Sequence, residues 1–490
     1  MAQYDLVVRG GTVVTASETF LADVGIVEGR ITALGEGLDA GAQDIDARGL
    51  LVMPGGVDSH CHIEQPKRGG LRNAESFDTG TRSALAGGTT SVICFSPQFR
   101  GEPIGTVLEE YHRLARRARC DYSFHLLISD PTDQVLEQEL PRLIESGLRS
   151  LKIFMTTESS ALDDGQILRL LACAKRHGAL VVFHAENYAA IKWLTQRLLD
   201  AGLTAPKYHA WSKPAVVERE ACHRAIALAE IVDTPIQIFH VSADEVAEEI
   251  ARARRRGLKV HGETCPQYLV LSDEDLDRPG FEGAKYVFSP AARPKREQAA
   301  LWRHIADGTL DIVSSDHAPW NYDDAAGKKA HGETAAFNQI PNGVPGLAAR
   351  LPLLFEEGVR GGHITLNQFV AITATNPARL FGLHPRKGTI AIGADADLVL
   401  WDADRTVRLD NAMMQHAVDY TPFEGRTVRG WPRTVLLRGQ VAMHEGEVRS
   451  QPGDGRFLPR GPYDMLKPSG RLPTPFDPVA GTVRAAREEG

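Results

Sequence analysis

Val57-Asp58-Ser59-His60-Cys61-His62 ends an apolar run in two histidines, and four further hydrophobic stretches of the chain carry a polar group in a similar place. Ser150-Leu151-Lys152-Ile153-Phe154-Met155 holds a lysine. Leu180-Val181-Val182-Phe183-His184 and Pro235-Ile236-Gln237-Ile238-Phe239-His240 both close on histidine. Asp311-Ile312-Val313-Ser314-Ser315-Asp316-His317 carries an aspartate near its end. Short apolar runs rich in β-branched residues read as buried strands. A strand end is a rigid mount for a polar side chain. Several such ends meeting at one point make a metal site with little help from loops.

Three more runs fill the intervals: Thr90-Ser91-Val92-Ile93-Cys94-Phe95, Tyr122-Ser123-Phe124-His125-Leu126-Leu127-Ile128 and Leu258-Lys259-Val260-His261-Gly262-Glu263. Amphipathic stretches such as Ile167–Arg176 and Val246–Ala251 separate the strands and read as helices. Eight strands alternating with helices is the count of an α/β fold of the (β/α)8 TIM-barrel type. The polar ends then fall on strands one, four, five, six and eight. All sit at C-terminal strand ends, the face where such barrels carry chemistry.

The flanks differ. Leu6–Val14 has a Gly10-Gly11 turn signal between two β-branched runs, and Val24–Leu34 reads as a hairpin. Similar material returns at 388–401 and 434–441. A smaller β-sandwich domain built from both termini is expected over 1–54 plus 388–460, around a barrel at 55–387. A Pro-, Gly- and Arg-rich tail at 461–490 is expected to pack on a neighbouring subunit. At 490 residues the chain exceeds one core of ordinary size, in keeping with a barrel and a companion. A net charge of −8 without long blocks argues against nucleic acid as partner. The Arg252–Arg256 run ahead of Gly257 reads as a solvated helix end. The six cysteines form no C-x-x-C pair, which reads as reduced thiols in the cytoplasm. No apolar run has membrane-spanning length and no signal segment opens the chain.

His60 and His62 are two apart on a strand and share a face. With His184, His240 and Asp316 they suit a borderline metal such as zinc. Lys152 fits this company poorly as an ammonium. Either it snorkels out of the barrel, or its neutral amine reacts with carbon dioxide. The resulting carbamate offers one oxygen to each of two ions. Two divalent ions with a carboxylate, a carbamate and a hydroxide would leave a charge of roughly +1.

The order of these motifs resembles the amidohydrolase superfamily, and within it the dihydropyrimidinase and hydantoinase branch. Pro54–His62, Leu151–Met155, His184-Ala185-Glu186, Phe239–Ser242, Gly262–Leu269, Ser289-Pro290, Ser315–Pro319 and Ile340–Gly343 carry the resemblance, over nearly the whole chain. It implies two Zn2+ per chain, with His60, His62 and Asp316 on one and His184 and His240 on the other. N6-carboxylated Lys152 and a hydroxide would bridge them. It implies hydrolysis of a cyclic amide of dihydropyrimidine, hydantoin or imide type, with Asp316 moving the proton. The alternatives are an allantoinase-like or other cyclic ureide hydrolase and, weakly, a non-catalytic scaffold. A homotetramer or homodimer is implied as well.

The resemblance puts substrate contacts at Ser289 and Asn342. It also puts a tyrosine hydroxyl where this chain has Thr157, with Tyr188 and Tyr322 as candidates to stand in. Acid-binding relatives carry an arginine at the position of Glu64, so Glu64 is expected to repel a carboxylated ring and favour neutral ones. Lys67, Arg68, Arg72 and Arg100 read as loop charges. His112, His177, His209, His304 and His331 read as surface residues, and His317 as a neighbour of the ligands.

Overall fold

The computed structural model describes residues 2–67, 71 and 73–483. Arg68 and Arg72 of the expected loop charges, and 484–490 of the expected tail, lie outside the described residues.

Eight parallel strands run Gly56–Cys61, Thr89–Pro97, Asp121–Leu127, Ser150–Phe154, Leu180–His184, Ile236–Ile238, Val260–Thr264 and Ile312–Val313, each bonded to the next. Their residues are buried almost throughout, which explains why they appear as continuous apolar runs. A parallel bridge between Cys61 and His317 joins first strand to last. The His62 N–H donates to the His317 carbonyl across the same seam at 2.7 Å. This is the expected barrel, its first and last strands joined just beyond their regular pairing.

Two strands stop earlier than the sequence suggests. Regular pairing ends at Ile238 and Val313 because His240 and Asp316 adopt φ of 41° and 46°. That left-handed backbone leaves the sheet and aims both side chains inward, at a conformational cost of about 1–3 kcal/mol each. Local sequence fixes the helices between strands. Asp163 caps Asp164–His177 by accepting from the Gln166 N–H, and Gly178 at φ 71° ends it.

A separate nine-stranded sheet combines Tyr4–Pro54 with Leu398–Val448. Leu51–Pro54 joins the halves, parallel to Tyr4–Val14 and antiparallel to Leu398–Arg408. Val8, Val24, Val52, Leu398 and Leu436 belong to its own core. Gly10-Gly11 is not a turn. Tyr4–Val14 is one strand whose register shifts between Val8 and Gly11, with Gly10 at φ 63°. The glycine pair therefore makes a bulge, the other structure that such a backbone permits.

Ion pairs bind sheet to barrel at the floor. Lys387 Nζ lies 2.6 Å from Asp121, 2.6 Å from Asp397 and 3.0 Å from Asp395. Asp121 opens the third barrel strand, and Asp397 precedes Leu398–Arg408. The described part of the tail lies against its own barrel: Asp233 accepts from Ser469 and Gly470, and Lys175 pairs with Asp477 at 3.2 Å.

Candidate metal centre

The strand ends converge. His60 Nε2 lies 3.1 Å from Asp316 Oδ1, and His62 Nε2 3.4 Å from the same oxygen. One ligand atom from each of these three residues falls within 4.8 Å of the others. The rings of His60 and His240 are 5.4 Å apart, and those of His240 and His184 4.3 Å. Lys152, His184 and His240 line the same cavity, of about 260 Å³, as the first three.

Each imidazole has a partner on its far side or room for one. His60 Nδ1 meets Glu263 Oε1 at 2.7 Å, and His62 Nδ1 meets Gln65 Oε1 at 2.6 Å. His184 Nε2 meets Glu186 Oε2 at 2.5 Å, which leaves its Nδ1 toward the other rings. Carboxylate and amide oxygens on the outer nitrogens fix tautomer and orientation, as metal-binding histidines require. Burial pulls His60 down, but the facing carboxylates of Asp316 and Glu263 outweigh it and lift its pKa to about 9. Burial lowers His62 and His184 to about 4. Burial opposes ionisation of Asp316, yet His60 and His62 hold its carboxyl well below the usual range.

Lys152 does not snorkel. Its Nζ is buried with no hydrogen-bond partner among the described residues. It faces the Phe239 ring at 4.3 Å and the Phe154 ring at 5.0 Å. Burial depresses its pKa to about 7, against weaker opposing pulls from Asp316 and Glu263. His240 Nδ1 is likewise buried and unpartnered. Orphaned nitrogen donors beside a carboxylate are what a borderline divalent ion satisfies, so the residues present fit such an ion.

Ser289 and Asn342 line the cavity, and Thr157 stands at its rim, exposed, its hydroxyl bonded to Ser160. Tyr188 and Tyr322 are not among the described lining residues. Glu64 departs from expectation. It accepts from the Phe77 N–H at 2.7 Å and pairs with Arg117, so it caps a helix and does not face a ring. His209 is buried, not superficial, with Nε2 2.8 Å from the Phe288 carbonyl. The sequence reading also missed Lys213, Asn73, Trp320 and Lys328. Lys213 Nζ donates to Ser289 Oγ at 2.6 Å. Lys328 Nζ donates to the carbonyls of Val287 and Pro341 at 2.8 and 2.7 Å and seats the segments that carry Ser289 and Asn342.

The amidohydrolase family profile matches residues 51–442, which span the barrel and part of the second sheet. The chain belongs to the amidohydrolase family. Membership implies a metal centre. This amidohydrolase is 44% identical over 461 residues to the D-hydantoinase of Ralstonia pickettii, covering 94% of this chain and 99% of that one. It is 45% identical over 465 residues to the D-hydantoinase of Geobacillus stearothermophilus, covering 94% and 97%. The crystal structure of dihydropyrimidinase from Brevibacillus agri NCHU1002 matches with a TM-score of 0.91 at 43% identity, covering 94% of this chain and 99% of that one.

Proposed function

We propose that this amidohydrolase opens a cyclic amide ring of dihydropyrimidine, hydantoin or cyclic imide type at two zinc ions. Full-length relatives named for that chemistry support cyclic amide hydrolysis. One observation carries the finer reading: a buried, unpartnered Lys152 Nζ among four imidazoles and an aspartate. In this reading His60, His62 and Asp316 hold one ion and His184 and His240 the other. Lys152, once carboxylated at N6, would hold both ions, which would share a hydroxide. Bound ions of this kind polarise a carbonyl and make water a stronger nucleophile.

The chain's own groups do the rest. Asp316 takes the proton of the attacking water and returns it to the ring nitrogen as the carbon–nitrogen bond breaks. Ser289 and Asn342 position the ring amide. Thr157 is turned to Ser160, and the hydroxyl beside it that lines the cavity is that of Thr156. The ring opens to an N-carbamoyl or amide acid. A cytoplasmic homotetramer or homodimer completes the reading, supported by the six buried free cysteines only as to a reducing compartment. No helix among the described residues is long and apolar enough to cross a membrane.

Protein produced with ample zinc and bicarbonate should contain two divalent ions per chain by elemental analysis. It should open at least one ring among dihydrouracil, dihydrothymine, hydantoin, allantoin, succinimide and phthalimide, followed by absorbance loss. Allantoin as the sole substrate would favour the ureide alternative. One ion or none, together with no ring opening, overturns the proposal.

Glu186→Gln is expected to weaken metal binding about 10–100-fold, because it loosens the grip on His184. Competition with a graded chelator measures this. Unchanged zinc retention would show that His184 is oriented by something else.

A further inference from the structure

Five residues beyond His62, Lys67 reaches into the metal-site cavity beside Asn73, Trp320 and Asn342. Its ammonium lies 5.4 Å from the Trp320 ring centre. Among the described residues no carboxylate lies within ion-pair distance of it. Two other lysines line the cavity: Lys152 stands among the candidate metal ligands, and Lys213 is engaged, its Nζ bonding Ser289 at 2.6 Å and approaching Glu186 Oε2 at 3.5 Å. Asp316 is the one carboxylate among the described lining residues, and His60 and His62 flank it.

Glu64 is the acid nearest to Lys67 in sequence, and it is turned away to Arg117 and the Phe77 N–H. The electrostatic objection to an acidic ring therefore disappears. What faces the cavity instead is an uncompensated cation. Such a group, half-buried and without a carboxylate partner among the described residues, gains from an anion brought by the ligand. We infer that Lys67 binds a carboxylate carried as a substituent on the ring, so that the preferred substrates of this enzyme are cyclic amides with a short acidic side chain.

The inference rests on the ring-hydrolase reading above and names its substrate class. Burial alone lowers the Lys67 pKa, to about 8, so the group is largely protonated at neutral pH. Lys67 lowers the pKa of His62 through its charge and so lies on the His62 side of the cavity, where a substituent on the ring would meet it. A cavity of about 260 Å³ falls below the roughly 300–1,000 Å³ of drug-sized pockets, which limits the substituent to a short chain.

The test compares hydantoin-5-propionate with its neutral carboxamide, on the zinc-loaded enzyme. The acid should be favoured at least tenfold in kcat/KM. Lys67→Met, checked for unchanged zinc content, should bring the acid-to-amide ratio close to one, mainly through KM for the acid. Lys67→Glu should invert the ratio and favour an aminoalkyl hydantoin over the acid. Equal rates for acid and amide in the parent, or a ratio that Lys67→Met leaves intact, overturn this inference and leave the ring-hydrolase reading standing. Failure to open any ring overturns both.

Discussion

Lys152→Ala should abolish ring opening, with a loss beyond the about 10–100-fold that removal of an outer partner of a metal ligand costs. Acetate or propionate should restore part of the activity by supplying the missing carboxylate oxygens. A variant that keeps full activity without such additives would remove the carbamate from the mechanism. The same residue makes a second, independent prediction in protein stripped of metal and carbonate. Its folded-state pKa is about 7, against about 10.4 in an unfolded chain. Between those values the unfolded chain holds the extra proton, so stability rises with pH. Below about pH 7 the buried ammonium exerts its full penalty. Stripped Lys152→Met should therefore be more stable than the stripped parent at pH 6, by on the order of a few kcal/mol. The gap should close toward pH 10. Equal melting temperatures across that range would mean that the ammonium is solvated.

If the Asp316 carboxylate carries the proton from water to leaving nitrogen as proposed, Asp316→Asn should lower kcat by about 10²–10⁴-fold, with a small change in KM. Asparagine is an informative replacement. It keeps one oxygen for a metal, and it tolerates the left-handed backbone that Asp316 adopts at φ 46°. A large effect thus reports on the proton and not on a distorted strand end. Zinc content measured on the same sample separates proton transfer from metal loss. Turnover within a few-fold of the parent would exclude Asp316 as the carrier.

The barrel was legible because its strands are buried on both faces and stand out as unbroken apolar runs. The six polar groups that line the cavity together stood out in the sequence for a related reason: each interrupts or ends such a run. Glu263 gave the same signal at the end of Leu258–Glu263, yet its place behind His60 needed the structure. What stayed hidden was set by side-chain direction. Glu64 could face the ring or cap Phe77–Ala86, and no spacing rule chooses between them. Lys67 looks like any loop cation until the cavity shows that no acid among the described residues pairs with it. Lys213, Lys328 and Trp320 come from loops with no periodicity. The Gly10-Gly11 error was of another kind, since turn and bulge share one dihedral requirement.

The Lys387 cluster has a consequence for how this protein can be cut. Its ammonium draws on carboxylates from both the barrel floor and the outer sheet. Expressing the barrel alone would strip Asp395 and Asp397 from Lys387 and leave fewer counter-charges in a newly opened surface. Removing one partner of a buried pair costs about 3–5 kcal/mol, a large share of the stability of a typical domain. The catalytic barrel is for this reason not a portable module. Gene fusions and truncations that respect the strand count but break at residue 388 separate charges that folding has joined.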